Sequence, residues 1–136
     1  MADITVTAAN VLLISGTVGS GTAGETITAG QSLYLKASDS RLWKAQADGT
    51  AAEATAVGIA LHAALAGQPL VYARPGAVIN IGGTTSKATT YCVSAAAGGV
   101  APQADLSSGQ YISVLGYATA TDGTFVVNIV NRGVTV

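Results

Sequence analysis

Val78-Ile79-Asn80-Ile81-Gly82-Gly83, residues 78–83, carries the reading of the fold. A short run dominated by β-branched side chains stops at a pair of glycines, the pattern of a strand running into a tight turn. Similar runs precede it at Ile4 to Thr7, Val11 to Ser15, Thr26 to Thr28, Leu33 to Lys36, Val57 to Leu61 and Leu70 to Ala73. Others follow at Thr90 to Ser94, Tyr111 to Leu115 and Phe125 to Val130, with turns at Gly98-Gly99, Ser108-Gly109 and Asp122-Gly123 between and after them. Strands this short and this frequent predict an all-β chain, a compact barrel or sandwich. The alanine-rich stretches Ala51 to Ala56 and Ala60 to Ala66 are interrupted by Gly58 and Gly67 and are not amphipathic, so they read as loop and strand.

The two halves resemble each other. Tyr34 precedes Gln46-Ala47-Asp48 by the same interval as Tyr91 precedes Gln103-Ala104-Asp105; Gly58-Ile59-Ala60 then matches Gly116-Tyr117-Ala118, and Gly76 matches Gly133. This predicts two pseudo-repeated β-meanders, about 25–82 and 84–136, packed around a pseudo-twofold axis in a single β domain, 24–136. Neither meander alone has enough strands to close a core.

Residues 1–23 form a leader of another kind: a β-like arm, Asp3 to Ser15, then the glycine-rich Gly16 to Gly24, which composition makes a flexible linker. Such an arm can add a strand to a neighbour's sheet edge; equally, it can be the first strand of its own domain, joined by a loop. In the first case Ile4, Val6, Val11, Leu12, Leu13 and Ile14 carry the contact with a shell or a neighbouring subunit by apolar burial.

Composition narrows the function classes. The 136 residues are 49% hydrophobic and only 10% charged, against about a quarter charged in ordinary soluble domains. After Pro75 the ionic side chains are Lys87, Asp105, Asp122 and Arg132. A surface so poor in charge is expected to be covered by protein. A net charge of -1 with no basic cluster argues against nucleic acid. No apolar run suits a signal core or a membrane span, and a lone cysteine allows no internal disulfide, so folding in a reducing cytoplasm is expected.

No motif asks for catalysis. Gly19-Ser20-Gly21-Thr22-Ala23-Gly24 satisfies GxGxxG, but the residues after it read as strand and turn, without the helix N-terminus a pyrophosphate needs. His62 is the single histidine and reads as a loop or core-edge residue; Cys92, within a strand, reads as a small apolar side chain. Asp48 and Asp105 are expected to fix turns by bonding backbone N–H groups. Trp43 with Tyr34, Tyr72, Tyr91, Tyr111 and Tyr117 suits either core anchoring or a carbohydrate-stacking patch. No enzyme activity, cofactor or metal is expected.

Ala23-Gly24-Glu25-Thr26-Ile27-Thr28-Ala29-Gly30-Gln31-Ser32-Leu33-Tyr34-Leu35-Lys36, followed by Leu42-Trp43-Lys44-Ala45-Gln46-Ala47-Asp48 and Val57-Gly58-Ile59-Ala60-Leu61, resembles the capsid decoration, or cement, proteins of tailed bacteriophages. Thr90-Tyr91-Cys92-Val93-Ser94, Gly99-Val100-Ala101-Pro102, Ser108-Gly109-Gln110-Tyr111 and Val114-Leu115-Gly116-Tyr117-Ala118 extend the likeness, which covers roughly 24–136 and leaves the leader unplaced. The resemblance implies a homotrimer bound to the major capsid protein on the outer surface of the virion, made in the host cytoplasm, without an active site. The alternative is a receptor- or carbohydrate-binding module of a phage fibre, with Trp43 and neighbouring tyrosines as its stacking surfaces.

Overall fold

The computed structural model describes residues 3–136; Met1 and Ala2, the start of the 1–23 leader, lie outside the described residues. Among the described residues eleven strands make two antiparallel sheets, and no barrel closes. In chain order they are β1 (Val11–Ser15), β2 (Val18–Thr22), β3 (Ser32–Lys36), β4 (Arg41–Lys44), β5 (Ala56–Ala60), β6 (Pro69–Ala73), β7 (Val78–Ile81), β8 (Thr90–Val93), β9 (Val100–Pro102), β10 (Tyr111–Ala118) and β11 (Thr124–Thr135). One sheet runs β1-β7-β11-β10-β8-β9 and the other β2-β6-β5-β3-β4. The sandwich-like, all-β expectation therefore holds.

The two halves share a topology. β6-β5-β3-β4 of the smaller sheet is the order β11-β10-β8-β9 of the larger. Pairing registers refine the correspondence: Ser32 with Ile59, Leu33 with Gly58 and Tyr34 with Ala56 match Thr90 with Tyr117, Tyr91 with Gly116 and Cys92 with Val114. Each set skips one residue, Val57 or Leu115, so the same β-bulge recurs. By register, Tyr91 takes the place of Leu33 and Cys92 that of Tyr34. The Tyr34–Tyr91 and Gln46–Gln103 matches of the sequence are thus out of step by one residue, while Gly58–Gly116 is in step.

Two apolar clusters hold the sheets. The main one joins Ile59, Ala73, Ile79, Ile81, Tyr91, Val100, Leu115, Phe125 and Val127 between the sheets, with the Tyr91 and Phe125 rings 5.9 Å apart. A smaller one, Ala23, Ile27, Leu33, Leu42, Ala60, Ala64 and Leu70, fills the other side of the five-stranded sheet. The segments 23–31 and 61–67 cover it, held by reciprocal backbone bonds between Ile27 and Ala64.

Three local expectations change. The glycine-rich segment is not a linker: Val18 to Thr22 pairs in regular register with β6. Glycine is needed there for contact, because a Cβ on Gly19 would strike the Tyr72 ring and one on Gly21 the Leu42 side chain. Ala51–Ala54 is one turn of helix, α1, set by the Thr50–Glu53 capping box, so the alanine-rich stretch is not all loop and strand. Ile4 to Thr7 is extended without strand pairing, and Thr26 to Thr28 contributes a single bridge, whereas β4 and β9 arise in segments with no strand signal.

Candidate functional site

The six residues expected to form an outward contact divide into two groups. Ile4, Val6 and Leu13 pack against the main cluster of their own chain, and Val11 is half-buried. The arm is strapped down: Ile4 N–H donates to Val100 O (2.8 Å), Thr7 N–H to Gly82 O (2.8 Å), and Ser94 Oγ to the Asp3 carboxylate (2.6 Å). Leu12 and Ile14 point the other way, 61% and 52% exposed.

Those two side chains border an open sheet surface. Register places Val78, Val126, Tyr117 and Thr90 in one row across β7, β11, β10 and β8, and none of them is buried. Tyr117 is 41% exposed. Beside that row lie Leu12, Asn80 and Thr124. All seven are uncharged. In the other half the equivalents of Tyr117 and Val126 are Ile59 and Ala73, each fully buried in the main cluster. One repeat therefore has both faces of its sheet covered, while the other leaves this row partly exposed. Period-two geometry makes the consequence sharp, since every second side chain along these strands must face whatever lies outside.

The chain matches no protein-family model and no curated protein.

The remaining candidates are occupied by structural work. His62 Nε2 accepts the Val71 N–H (3.0 Å) and Nδ1 lies 2.9 Å from Ala63 O, which joins the 61–67 cover to β6. Cys92 is buried, and desolvation pushes its thiol up to about 11. The turn after Asp48 is held by Thr50 and Glu53; Asp39 accepts the Arg41 N–H and Asp122 the Thr124 N–H, each two residues on. Thr124 also donates its hydroxyl to Asp122, and these bonds lower that carboxyl's pKa.

The aromatic residues are divided between interior and surface, and Tyr34 and Trp43 are cross-strand partners. Tyr34 and Tyr91 are buried, and burial raises the Tyr34 pKa, helped by Glu53, Glu25 and Asp39. Trp43 donates its indole N–H to the Asp39 carboxylate (3.1 Å), and its ring carries the Lys36 ammonium 4.3 Å from the centroid. The Gly24 backbone abuts the indole nitrogen edge. Among the described residues no group of three or more His, Cys, Asp and Glu side chains is placed to hold a metal, and no helix is long and apolar enough to cross a membrane.

Proposed function

We propose that the chain is a decoration protein that binds the major capsid protein on the outer surface of an assembled phage head and stabilises the shell. The partly exposed, uncharged Thr90–Tyr117–Val126–Val78 row carries this reading, because the equivalents of Tyr117 and Val126 in the other half are buried and an uncharged sheet surface left open suits a protein cover. The resemblance of residues 24–136 to cement proteins supplies the kind of partner. No catalytic group is required. A ligand that binds the assembled shell and not its separated subunits adds stability of RT ln(1 + [L]/Kd), so tight attachment alone strengthens the head.

Co-sedimentation of the protein with expanded, undecorated heads tests the proposal. Wild type is expected to pellet with heads and to raise their thermal midpoint. A Tyr117→Lys/Val126→Lys variant that retains its own melting temperature is expected to stay in the supernatant. Equal binding by both proteins, or by neither, overturns the reading. The carbohydrate alternative gains nothing from a tryptophan already engaged by Asp39 and Lys36.

A further inference from the structure

Asp-Gly occurs twice in the sequence, at Asp48-Gly49 and Asp122-Gly123, and Asn-Gly nowhere. The dipeptide carries a chemistry of its own. Glycine has no Cβ to shield its backbone nitrogen, so that nitrogen can attack the carboxyl carbon of the preceding aspartate and close a succinimide ring. The reaction needs both groups to be reachable and the local backbone free to bring them together. The fold treats the two dipeptides oppositely.

At Asp122-Gly123 each group is engaged. The Asp122 carboxylate accepts the N–H and the hydroxyl of Thr124, at 3.1 and 2.7 Å. Gly123 is buried, and its N–H donates to Thr85 Oγ1 at 3.2 Å. Bringing the carboxyl carbon onto the Gly123 nitrogen would break these bonds. At Asp48-Gly49 both residues are exposed, and the Asp48 carboxylate has no hydrogen-bond or ion-pair partner among the described residues. The Thr50–Glu53 capping box holds the turn from its far side and leaves Asp48 outside it.

We propose that Asp48 is a site of spontaneous isoaspartate formation in the folded protein. The Gly49 nitrogen bonds to the side-chain carboxyl carbon of Asp48, and the hydroxyl of the protonated carboxyl leaves as water with the Gly49 amide proton. Addition of water then opens the succinimide. Attack at the former side-chain carbonyl regenerates aspartate; attack at the main-chain carbonyl gives isoaspartate, with a free carboxylate where the main chain used to run. The water lost is the water regained, so the change is an isomerisation that needs no oxidant and leaves the net charge as it was. The main chain now passes through Cβ of residue 48 and is longer by one atom between two anchored points. Ala47 is tied on one side, its N–H donating to Ser94 O (2.8 Å) and its carbonyl accepting the Tyr111 N–H (3.0 Å). Thr50 is tied on the other, its hydroxyl accepting the Glu53 N–H. The extra atom is therefore forced into the N-cap of α1, whose Ala54 is buried and whose Ala54 carbonyl takes the Ser113 hydroxyl. Modification loosens that turn of helix from the sheet.

Prolonged storage of the folded full-length protein at neutral pH tests this, with isoaspartate counted by methyl transfer from S-adenosylmethionine by a protein-isoaspartate methyltransferase and located by peptide fragmentation. The product is expected to accumulate at residue 48 and many-fold more slowly at residue 122. Protein stored in denaturant is expected to form it at both positions at similar rates, because the protection of Asp122-Gly123 belongs to the fold. Aged protein is expected to melt at a lower temperature than fresh protein. Asp48→Glu keeps the exposed charge, but its longer side chain closes the larger ring far more slowly. Fresh, that variant is expected to melt with wild type; aged, it is expected to show neither the product at residue 48 nor the loss of melting temperature. Absence of the product at residue 48 of the folded protein, equal rates at residues 48 and 122 in that state, or an equal loss of melting temperature in aged Asp48→Glu overturns the proposal. The readout needs no heads, so it stands or falls apart from the shell reading.

Discussion

The carbonyl oxygen of Val126 occupies the space that a Cβ on Gly116 would need. Gly58 stands in the same relation to the carbonyl of Ala73, which is the register equivalent of Val126. The glycines kept in both halves are therefore bulge residues pressed against the neighbouring strand. Gly116→Ala is expected to destabilise by about 1–3 kcal/mol, as overpacking of a filled site does, and Gly58→Ala by a similar amount. Midpoints of denaturant unfolding measure both; a change below about 0.5 kcal/mol at either position contradicts the bulge assignment.

The arm should behave as part of the domain. Asp3→Ala removes the carboxylate that accepts the buried Ser94 hydroxyl, and a cost of about 1–3 kcal/mol is expected for leaving that donor unsatisfied. Deleting residues 2–7 should cost more, because Ile4 and Val6 leave the main cluster. Unchanged melting of the truncated protein would mean that the strap contributes nothing in solution.

Cys92 should be unreactive in the folded protein. With its thiol pKa at about 11, roughly one thousandth is thiolate at pH 8, and the side chain is buried besides. Ellman's reagent should label native protein only at the rate of unfolding and should react at once in denaturant. Fast stoichiometric labelling of native protein would contradict this placement.

Acid should weaken the Asp122 turn. The folded carboxyl has a lowered pKa because Thr124 donates two bonds to it, so its contribution is present above the unfolded value, about 3.9, and is lost as pH falls through the folded value. Asp122→Asn should flatten the decline of melting temperature below about pH 4 relative to wild type. Parallel acid limbs for the two proteins would assign the decline to other carboxyls.

Much of the architecture was legible locally. β1 and β7 match their sequence runs end to end, and β3, β5, β8 and β10 overlap theirs, because β-branched residues between turn glycines constrain the chain over a few positions. β4 and β9 were not legible; Leu42-Trp43-Lys44 and Val100-Ala101-Pro102 become strands only by pairing with β3 and β8. The candidate surface was half legible. Leu12 and Ile14 stood out as apolar, but nothing local separates them from Val11 and Leu13, which alternate to the inner side.

From its sequence alone this chain is all-β and poor in charge, since strand propensity, turn glycines and composition act over short distances. Tertiary structure decided the rest. The glycine-rich segment becomes a strand through a partner about fifty positions away, and one residue of register decides that Tyr91 corresponds to Leu33 and not to Tyr34. Side chains alternate faces along a strand, so which apolar residues are core and which are surface depends on non-local pairing.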